Sequence, residues 1–294
     1  MKLYYENEMK NISIFERLSF YLKFLKRNHY FPNLHNPKTF NEKLNYRKFF
    51  TKNSLFTLCS DKIKVKNYVK DKIGEKYITK TLFITEKIKT TDVESYLDQY
   101  DSFVVKANHT SGHVYFVDKS TSKEKISLLC DDLNKQLLRD FGKRRGEPWY
   151  SDIKPMVLFE ENINPGELGD LTDYKFHVFN RDGQSPVVIL CAIFERGRNA
   201  HCSFFDEQLN WIPMTQGYPC IKTAIEEPKN YKEMLHIAKQ LAEPFSYVRI
   251  DLYNSNGEIR FGEFTFADGS GYDKFSSIEY DRWLGNLWQR HIRN

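Results

Sequence analysis

The chain is expected to fold as an α+β protein, helical in its first third and built on antiparallel sheets thereafter. Three features carry this. Helix-capping signals and an apolar period near 3.6 run to about residue 74, alternation of period two begins near residue 102, and residues 247–265 read as one β-hairpin. At 294 residues with 40% hydrophobic content, the chain can bury one large or two modest cores.

Residues 12–27 form the first expected helix, amphipathic with a basic end, which either packs on the domain or rests on a membrane. Packing is the expectation. Asn36-Pro-Lys-Thr39 opens a second helix, with Thr39 and Glu42 spaced as a capping box, and a third runs from about 61 to 73 and stops at Gly74. Residues 102–107 and 114–117 are short strands joined by the polar loop Asn108-His-Thr-Ser-Gly-His113. A helix over 123–141 follows, with Thr121 and Glu124 as its capping box and Gly142 at its end. Strands at 155–160, 173–179 and 187–193 make the next part β-rich, with Arg181-Asp-Gly183 as a hairpin turn. Helices at 230–243 and 278–292 flank the last hairpin. The domains read as 1–75 (helical), 76–150 (a small lobe with a phosphate loop) and 151–294 (a large lobe with the hairpin and final helix).

The net charge of +5 is unevenly spread: residues 38–89 hold fourteen Lys or Arg against five Asp or Glu, a local +9 that leaves −4 elsewhere. Such a run is a solvated helical surface or an attractor of anions. No stretch approaches the roughly 18 apolar residues of a membrane span, and the start Met1-Lys-Leu-Tyr-Tyr-Glu-Asn-Glu8 lacks an export signal, so a cytoplasmic location is expected. Five cysteines without a Cys-x-x-Cys pair are expected as buried thiols. His109 and His113 sit in a loop without a nearby acid, a poor zinc site.

In the final hairpin, Val248, Ile250 and Leu252 alternate with Arg249 and Asp251, which turns one face inward and the charged face to a cleft. Glu263 and Thr265 share a face on the return strand. Two carboxylates and a neutral oxygen beside an Arg suit Mg²⁺, a hard ion that shares its shell with phosphates. Register decides. A two-residue Asn256-Gly257 turn sets Asp251 opposite Gly262 and leaves Glu263 on the other face, so the metal reading requires a bulge or an odd-length loop; otherwise the charges only face water.

Asn36-Pro-Lys-Thr-Phe-Asn-Glu-Lys43, Asp61-Lys62, Phe103-Val-Val-Lys-Ala-Asn-His109, Asp173-Tyr-Lys-Phe176, Val248-Arg-Ile-Asp-Leu-Tyr253 and Gly262-Glu-Phe-Thr-Phe266 together resemble the teichuronopeptide-type, TupA-like, ATP-grasp proteins of bacterial surface-polysaccharide clusters. The resemblance spans about residues 31–287. It implies an ATP-grasp fold, a helical N-terminal region followed by two α+β lobes whose antiparallel sheets enclose the nucleotide, with ATP and Mg²⁺ as cofactors. Lys106 is then the phosphate-binding lysine rather than a strand-end lysine reaching solvent. Thr110, Ser111 and Gly112 cover the phosphates with backbone N–H groups, and Lys62 is the second phosphate lysine, chosen among several basic neighbours. Glu160, Glu161 and Ile163 form the adenine hinge, and Asp173 is the ribose acid, with Glu167 and Asp170 as alternatives. Lys175, Arg196 and Arg249 act on the γ-phosphate or acyl substrate, and Asp251, Glu263 and Thr265 hold Mg²⁺. Where many ATP-grasp enzymes carry Glu-x-Asn, this chain has Glu263-Phe-Thr265. The loop Ala267-Asp-Gly-Ser-Gly271 either offers backbone donors to an acyl-phosphate or is a flexible turn.

The implied activity is an ADP-forming carboxylate-amine ligase that makes an amide through an acyl-phosphate. Its implied substrates are a uronic acid, nucleotide-linked or on a lipid-linked glycan, and an amine, with peripheral membrane association and no nucleic acid. A sugar or glycan kinase is the alternative on the same fold. A glycosyltransferase lacks its Asp-x-Asp motif here, a polyanion binder has no nucleic-acid motif, and no Gly-x-Ser-x-Gly elbow is present.

Overall fold

The computed structural model describes residues 13–163, 172–194, 201–220, 224–255 and 257–290. Two compact units emerge, one formed by Met1–Asn53 with Thr172–Asn294, the other by Ser54–Leu171. Each has its own sheet and core.

The first unit opens with α1 (Ile14–Asn28) and α2 (Phe40–Phe50). Ser13 Oγ accepts from Glu16 N at 3.2 Å while the Glu16 carboxylate accepts from Ser13 N at 3.1 Å, a capping box that fixes the start of α1. The expected box at Thr39 and Glu42 is present on α2. Only Phe20 and Phe24 of α1 are buried, packed with Leu34, Tyr46 and Phe50. The basic residues of α2 are interior rather than solvated. Arg47 is fully buried and donates to the carbonyls of Tyr247 (2.8 Å) and Phe266 (3.2 Å), Lys43 to those of Gly285 (2.7 Å) and Trp288 (2.6 Å), and Lys48 to that of Ser270 (2.9 Å). Part of the basic run therefore satisfies buried backbone oxygens.

The second unit contains α3 (Ser54–Ser60), α4 (Val65–Ile73), β1 (Thr81–Thr85), α5 (Thr90–Leu97), β2 (Ser102–Ala107), β3 (Val114–Asp118), α6 (Lys123–Leu137), α7 (Phe141–Arg145) and β4 (Val157–Glu161). Its sheet is antiparallel in the order β1-β4-β2-β3. The helix expected over 61–73 starts at Val65, because Asp61 Oδ1 accepts from Ile63 N at 2.9 Å and holds a turn first. The helix expected over 123–141 ends at Leu137, since Asp140 caps α7 by accepting from Lys143 N at 2.8 Å. Its N-cap is Ser122, not Thr121, whose Oγ1 accepts from Asp118 N at 3.0 Å. Strand alternation sends Phe103, Val105, Val117, Val157 and Phe159 to a core with Val93 of α5 and Ile126, Leu129 and Leu133 of α6. The other face carries Val104, Lys106, Leu158 and Glu160.

The first unit resumes with β5 (Thr172–Arg181), β6 (Gln184–Phe194), β7 (His201–Phe205), β8 (Trp211–Ile212), α8 (Tyr231–Ala242), β9 (Tyr247–Ser255), β10 (Glu258–Thr265) and α9 (Ile278–Leu287). The antiparallel sheet runs β10-β9-β5-β6-β7-β8. The expected turn at Asp182-Gly183 joins Arg181 to its partner Gln184, with Gly183 at φ +66°. Tyr174, Phe176, Val178, Val248, Ile250 and Leu252 share the face packed by α8. The opposite face is apolar at one end, where Phe179 and Tyr247 meet Phe40, Leu44 and Trp288, and charged at the other. The last helix stops at Leu287, short of the expected 292.

The cysteines need a correction. Cys191 and Cys202 on neighbouring strands are joined as a disulfide, a pairing created by the β6–β7 register and invisible in spacing; Cys59 and Cys130 are buried thiols and Cys220 is partly exposed.

Candidate active site

The charged end of the large sheet is set by register. Lys175 of β5 lies opposite Asp251 of β9, and the β9–β10 pairing slips by one residue between Phe261 and Glu263, so that Glu263 also lies opposite Asp251. This is the bulge that the metal reading requires, with Gly262 as the extra residue. A side chain at Gly262 would bring its Cβ to 3.0 Å from the Asp251 carbonyl oxygen and 3.1 Å from the Tyr253 ring. Asn256 of the connecting turn lies outside the described residues.

The side chains form one network. Lys175 Nζ binds Asp251 Oδ2 at 2.5 Å and Asp173 Oδ2 at 2.8 Å. Arg249 grips Asp251 with Nε to Oδ1 at 2.6 Å and Nη2 to Oδ2 at 2.7 Å, and the same Nη2 reaches Glu263 Oε1 at 3.2 Å. Its Nη1 pairs with Asp268, whose other oxygen accepts from Gln216 Nε2 at 2.6 Å. Thr265 Oγ1 stands 3.5 Å from Glu263 Oε1. Burial pushes the Asp251 carboxyl upward, but Arg249 and Lys175 outweigh it and hold the group down at about 2. Asp268 is likewise lowered against its burial, chiefly by Arg249. Burial drives His177 down to about 4, so the imidazole beside Tyr247 OH (3.0 Å) is neutral near pH 7.

The network fits a divalent cation in charge. Asp173, Asp251, Asp268 and Glu263 stand against Lys175 and Arg249, a formal −2. Among the described residues no three His, Cys, Asp or Glu side chains converge on one point, so the protein supplies too few ligands for a dedicated cage. A Mg²⁺ ion held here by one or two carboxylates would take the rest of its shell from phosphates and water. Glu263, with 39% of its side chain exposed, is the open side of the network, whereas Asp251 is 3% exposed.

The second unit carries a cluster of opposite balance. Glu160, buried on β4, binds Lys66 Nζ at 2.6 Å through one oxygen and Lys106 Nζ of β2 through the other. Lys66 also donates to Thr81 Oγ1 (2.6 Å) and the Thr79 carbonyl (2.8 Å). Glu160 is lowered overall because the two lysines, Lys106 first, offset its burial. Glu161 instead accepts from Lys80 N at 2.8 Å, and Ile163 is partly buried just past the strand.

Lys62 Nζ donates to the Thr110 carbonyl, and its backbone N–H to the Asn108 carbonyl at 3.2 Å, tying α4's leading turn to the 108–113 loop. Asn108 completes the tie, donating from Nδ2 to Asp61 Oδ1 at 3.0 Å and accepting at Oδ1 from Met156 N at 2.8 Å. Thr110 is buried, while Ser111 and Gly112 are exposed, with Gly112 at φ +82°. Arg196, Glu167 and Asp170 lie outside the described residues. Two residues that the sequence reading did not single out are central here. Lys66 is indistinguishable by spacing from its basic neighbours on the helix, and Asp268 sits after the hairpin in a turn where Gly269, Ser270 and Gly271 all have positive φ.

The chain is similar in structure to the D-alanine-D-alanine ligase of Helicobacter pylori (15% identity, TM-score 0.43, covering 80% of this chain and 61% of that one). It is also similar to D-alanyl-alanine synthetase A of Vibrio cholerae (13%, 0.41, 71% and 55%). A third likeness is to the ATP-grasp ligase PsnB complexed with minimal precursor, Mg and ADP (13%, 0.39, 72% and 51%). The chain thus spans between about half and three-fifths of the length of these solved structures. No curated protein matches it. The model of the family described as TupA-like ATPgrasp matches residues 42–289, most of the chain, and with its two antiparallel sheets this protein belongs to the TupA-like ATP-grasp family.

Proposed function

We propose that the protein is an ATP-dependent carboxylate-amine ligase. The observation that carries this reading is the bulged hairpin that sets Asp251 and Glu263 opposite each other in a network with two more carboxylates than a pair of cations balances. Membership of an ATP-grasp family makes ATP with Mg²⁺ the nucleotide and metal. Asp251 and Glu263, with Thr265 beside them, would hold the ion, which would supply charge neutralisation to phosphate oxygens. Arg249 and Lys175 keep Asp251 ionised and orient it, and Arg196 joins them at the γ-phosphate or the acyl substrate. In the second unit Lys106 and Lys62 bind phosphate, with the backbone of Thr110, Ser111 and Gly112 covering it. Glu160, Glu161 and Ile163 take the adenine, and Asp173 the ribose.

A substrate carboxylate oxygen attacks the γ-phosphorus, the bond to the β,γ-bridging oxygen breaks, and ADP leaves. An amine nitrogen then attacks the acyl carbon, phosphate departs with the C–O electron pair, and the amine proton passes to solvent. The enzyme contributes alignment, charge neutralisation and exclusion of water, and no side-chain nucleophile is needed. The polysaccharide setting that the resemblance implies supports a uronic acid on a nucleotide sugar or lipid-linked glycan as the acid, and an amino acid or amino alcohol as the amine.

Phosphorus NMR of the protein with Mg·ATP, uronic-acid nucleotide sugars and a panel of amines tests the reading. ADP with free phosphate, formed only when acid and amine are both present and absent with Glu263→Ala, is the expected result. ADP with a new phosphoester and no free phosphate would make the protein a kinase and overturn the ligase.

A further inference from the structure

Helix α1 has two apolar faces, and among the described residues only one is packed. Phe20 and Phe24 pack inward with Leu34, Tyr46 and Phe50. Ile14, Phe15, Leu18 and Leu22 point out, with relative exposures of 72, 84, 55 and 59%, and Phe31, just past the helix, is 71% exposed. These are five of the eleven exposed large hydrophobics among the described residues, gathered within eighteen positions. At about 100° per residue, the four helical side chains fall in one arc of about 100°. Lys26 lies next to that arc, followed by Lys23, while Arg17 flanks the other side beyond Tyr21.

The charge of the same surface selects its partner. From Ser13 to Asn28 the helix carries Arg17, Lys23, Lys26 and Arg27 against Glu16 alone, a net +3, and Glu16 is engaged in its own capping box. Lys23 Nζ rests 4.1 Å from the centre of the Tyr272 ring, while Lys26 and Arg27 are exposed. Two copies meeting through this face would oppose +3 to +3. An anionic bilayer surface matches both parts, accepting the apolar strip at the acyl boundary and the basic flank at the headgroups. Among the described residues no helix is long and apolar enough to cross a membrane, which fits a helix that lies in the interface plane.

We infer that α1 docks the protein on an anionic membrane surface through Ile14, Phe15, Leu18 and Leu22, with Lys26 and its basic neighbours at the headgroups. The inference does not depend on the nucleotide chemistry. Flotation of the full chain with vesicles of equal parts phosphatidylglycerol and phosphatidylcholine tests it, with pure phosphatidylcholine vesicles in parallel. Binding to the anionic vesicles should be at least about tenfold tighter than to the neutral ones and should weaken as salt rises. The double variant Leu18→Asp/Leu22→Asp should lose it, and Lys26→Glu should weaken it at least about fivefold. Both variants alter exposed residues, so unchanged circular dichroism and thermal melting confirm that the fold persists. Phe15→Trp supplies an independent readout, with emission shifting to the blue on anionic vesicles. The inference is overturned if the wild-type chain floats with neither vesicle, if the double variant binds as well as wild type, or if sedimentation reveals self-association that the same variant abolishes.

Discussion

The two charged clusters are built alike and balanced oppositely. Each lies on one face of an antiparallel sheet whose other face is apolar and packed by helices. In the first unit, four carboxylates surround Lys175 and Arg249 and leave an excess of negative charge; in the second, Lys66 and Lys106 share the single carboxylate of Glu160 and leave an excess of positive charge. A cluster short of cations has the charge to suit a metal ion, and one short of anions the charge to suit phosphate. Strand alternation supplies the scaffold in both, and under the proposed function the sign of the leftover charge is what separates the metal cluster from the phosphate cluster.

The largest expected effect comes from breaking the carboxylate-rich network at its centre. Asp251→Asn removes the partner that Lys175 and Arg249 share, so ATP turnover should fall about 10³-fold or more. Because Lys175 keeps Asp173 and Arg249 keeps Asp268 and Glu263, the cost in urea unfolding should be that of lost charge-assisted hydrogen bonds, about 1–3 kcal/mol. Glu263→Ala should match it in activity but not in stability, because the half-open Glu263 side chain leaves little buried charge uncompensated. In the cation-rich cluster, Glu160→Gln strips both lysines of their carboxylate, with an expected loss of about 3 kcal/mol measured the same way. Lys106→Ala should abolish ATP turnover with the fold intact, as judged by circular dichroism.

A smaller effect separates structural acids from those of the site. Asp281 is buried and accepts from Tyr30 OH (2.6 Å) and Asn41 N (2.9 Å), and burial, more than these bonds can offset, raises its carboxyl from the ordinary 3.8 to about 6. The folded state holds this proton more tightly than the unfolded chain. Its contribution is therefore full below about pH 4 and is lost as pH rises through about 6, a fall of about 3 kcal/mol. Urea midpoints measured across that range on wild type and Asp281→Asn should show the descending limb only in the wild type. Smallest is Gly262→Ala, whose Cβ must displace the Asp251 carbonyl or the Tyr253 ring; about 1–2 kcal/mol is expected by thermal melting.

Local chemistry was readable where it is local. The Thr39–Glu42 capping box, the strand at 102–107 and the Asp182-Gly183 turn all stand in the structure as their patterns require. The hairpin shows the limit of spacing. Alternation identified which of its residues share a face, and turn register showed that a bulge or an odd-length loop was needed. That the slip falls at Gly262, where a Cβ would come to 3.0 Å from the Asp251 carbonyl oxygen, was visible only in the fold. Features that depend on distant partners were not legible. β1 and α5 lie in a stretch without clear periodicity, Lys66 is distinguished from its neighbours only by reaching Glu160, and Asp268 has meaning only through Arg249. The basic run at 38–89 was open to a surface reading because nothing local reveals that Arg47 and Lys48 end against buried carbonyls.

Calorimetric titration of ATP into wild type, Asp251→Asn and Lys106→Ala, each with and without Mg²⁺, tests the division of labour most directly. The account predicts that Lys106→Ala weakens ATP binding by a similar factor in both conditions, while Asp251→Asn removes only the gain that Mg²⁺ gives. Loss of the Mg²⁺-dependent gain in Lys106→Ala, or its survival in Asp251→Asn, would contradict the assignment of metal to one cluster and phosphate to the other.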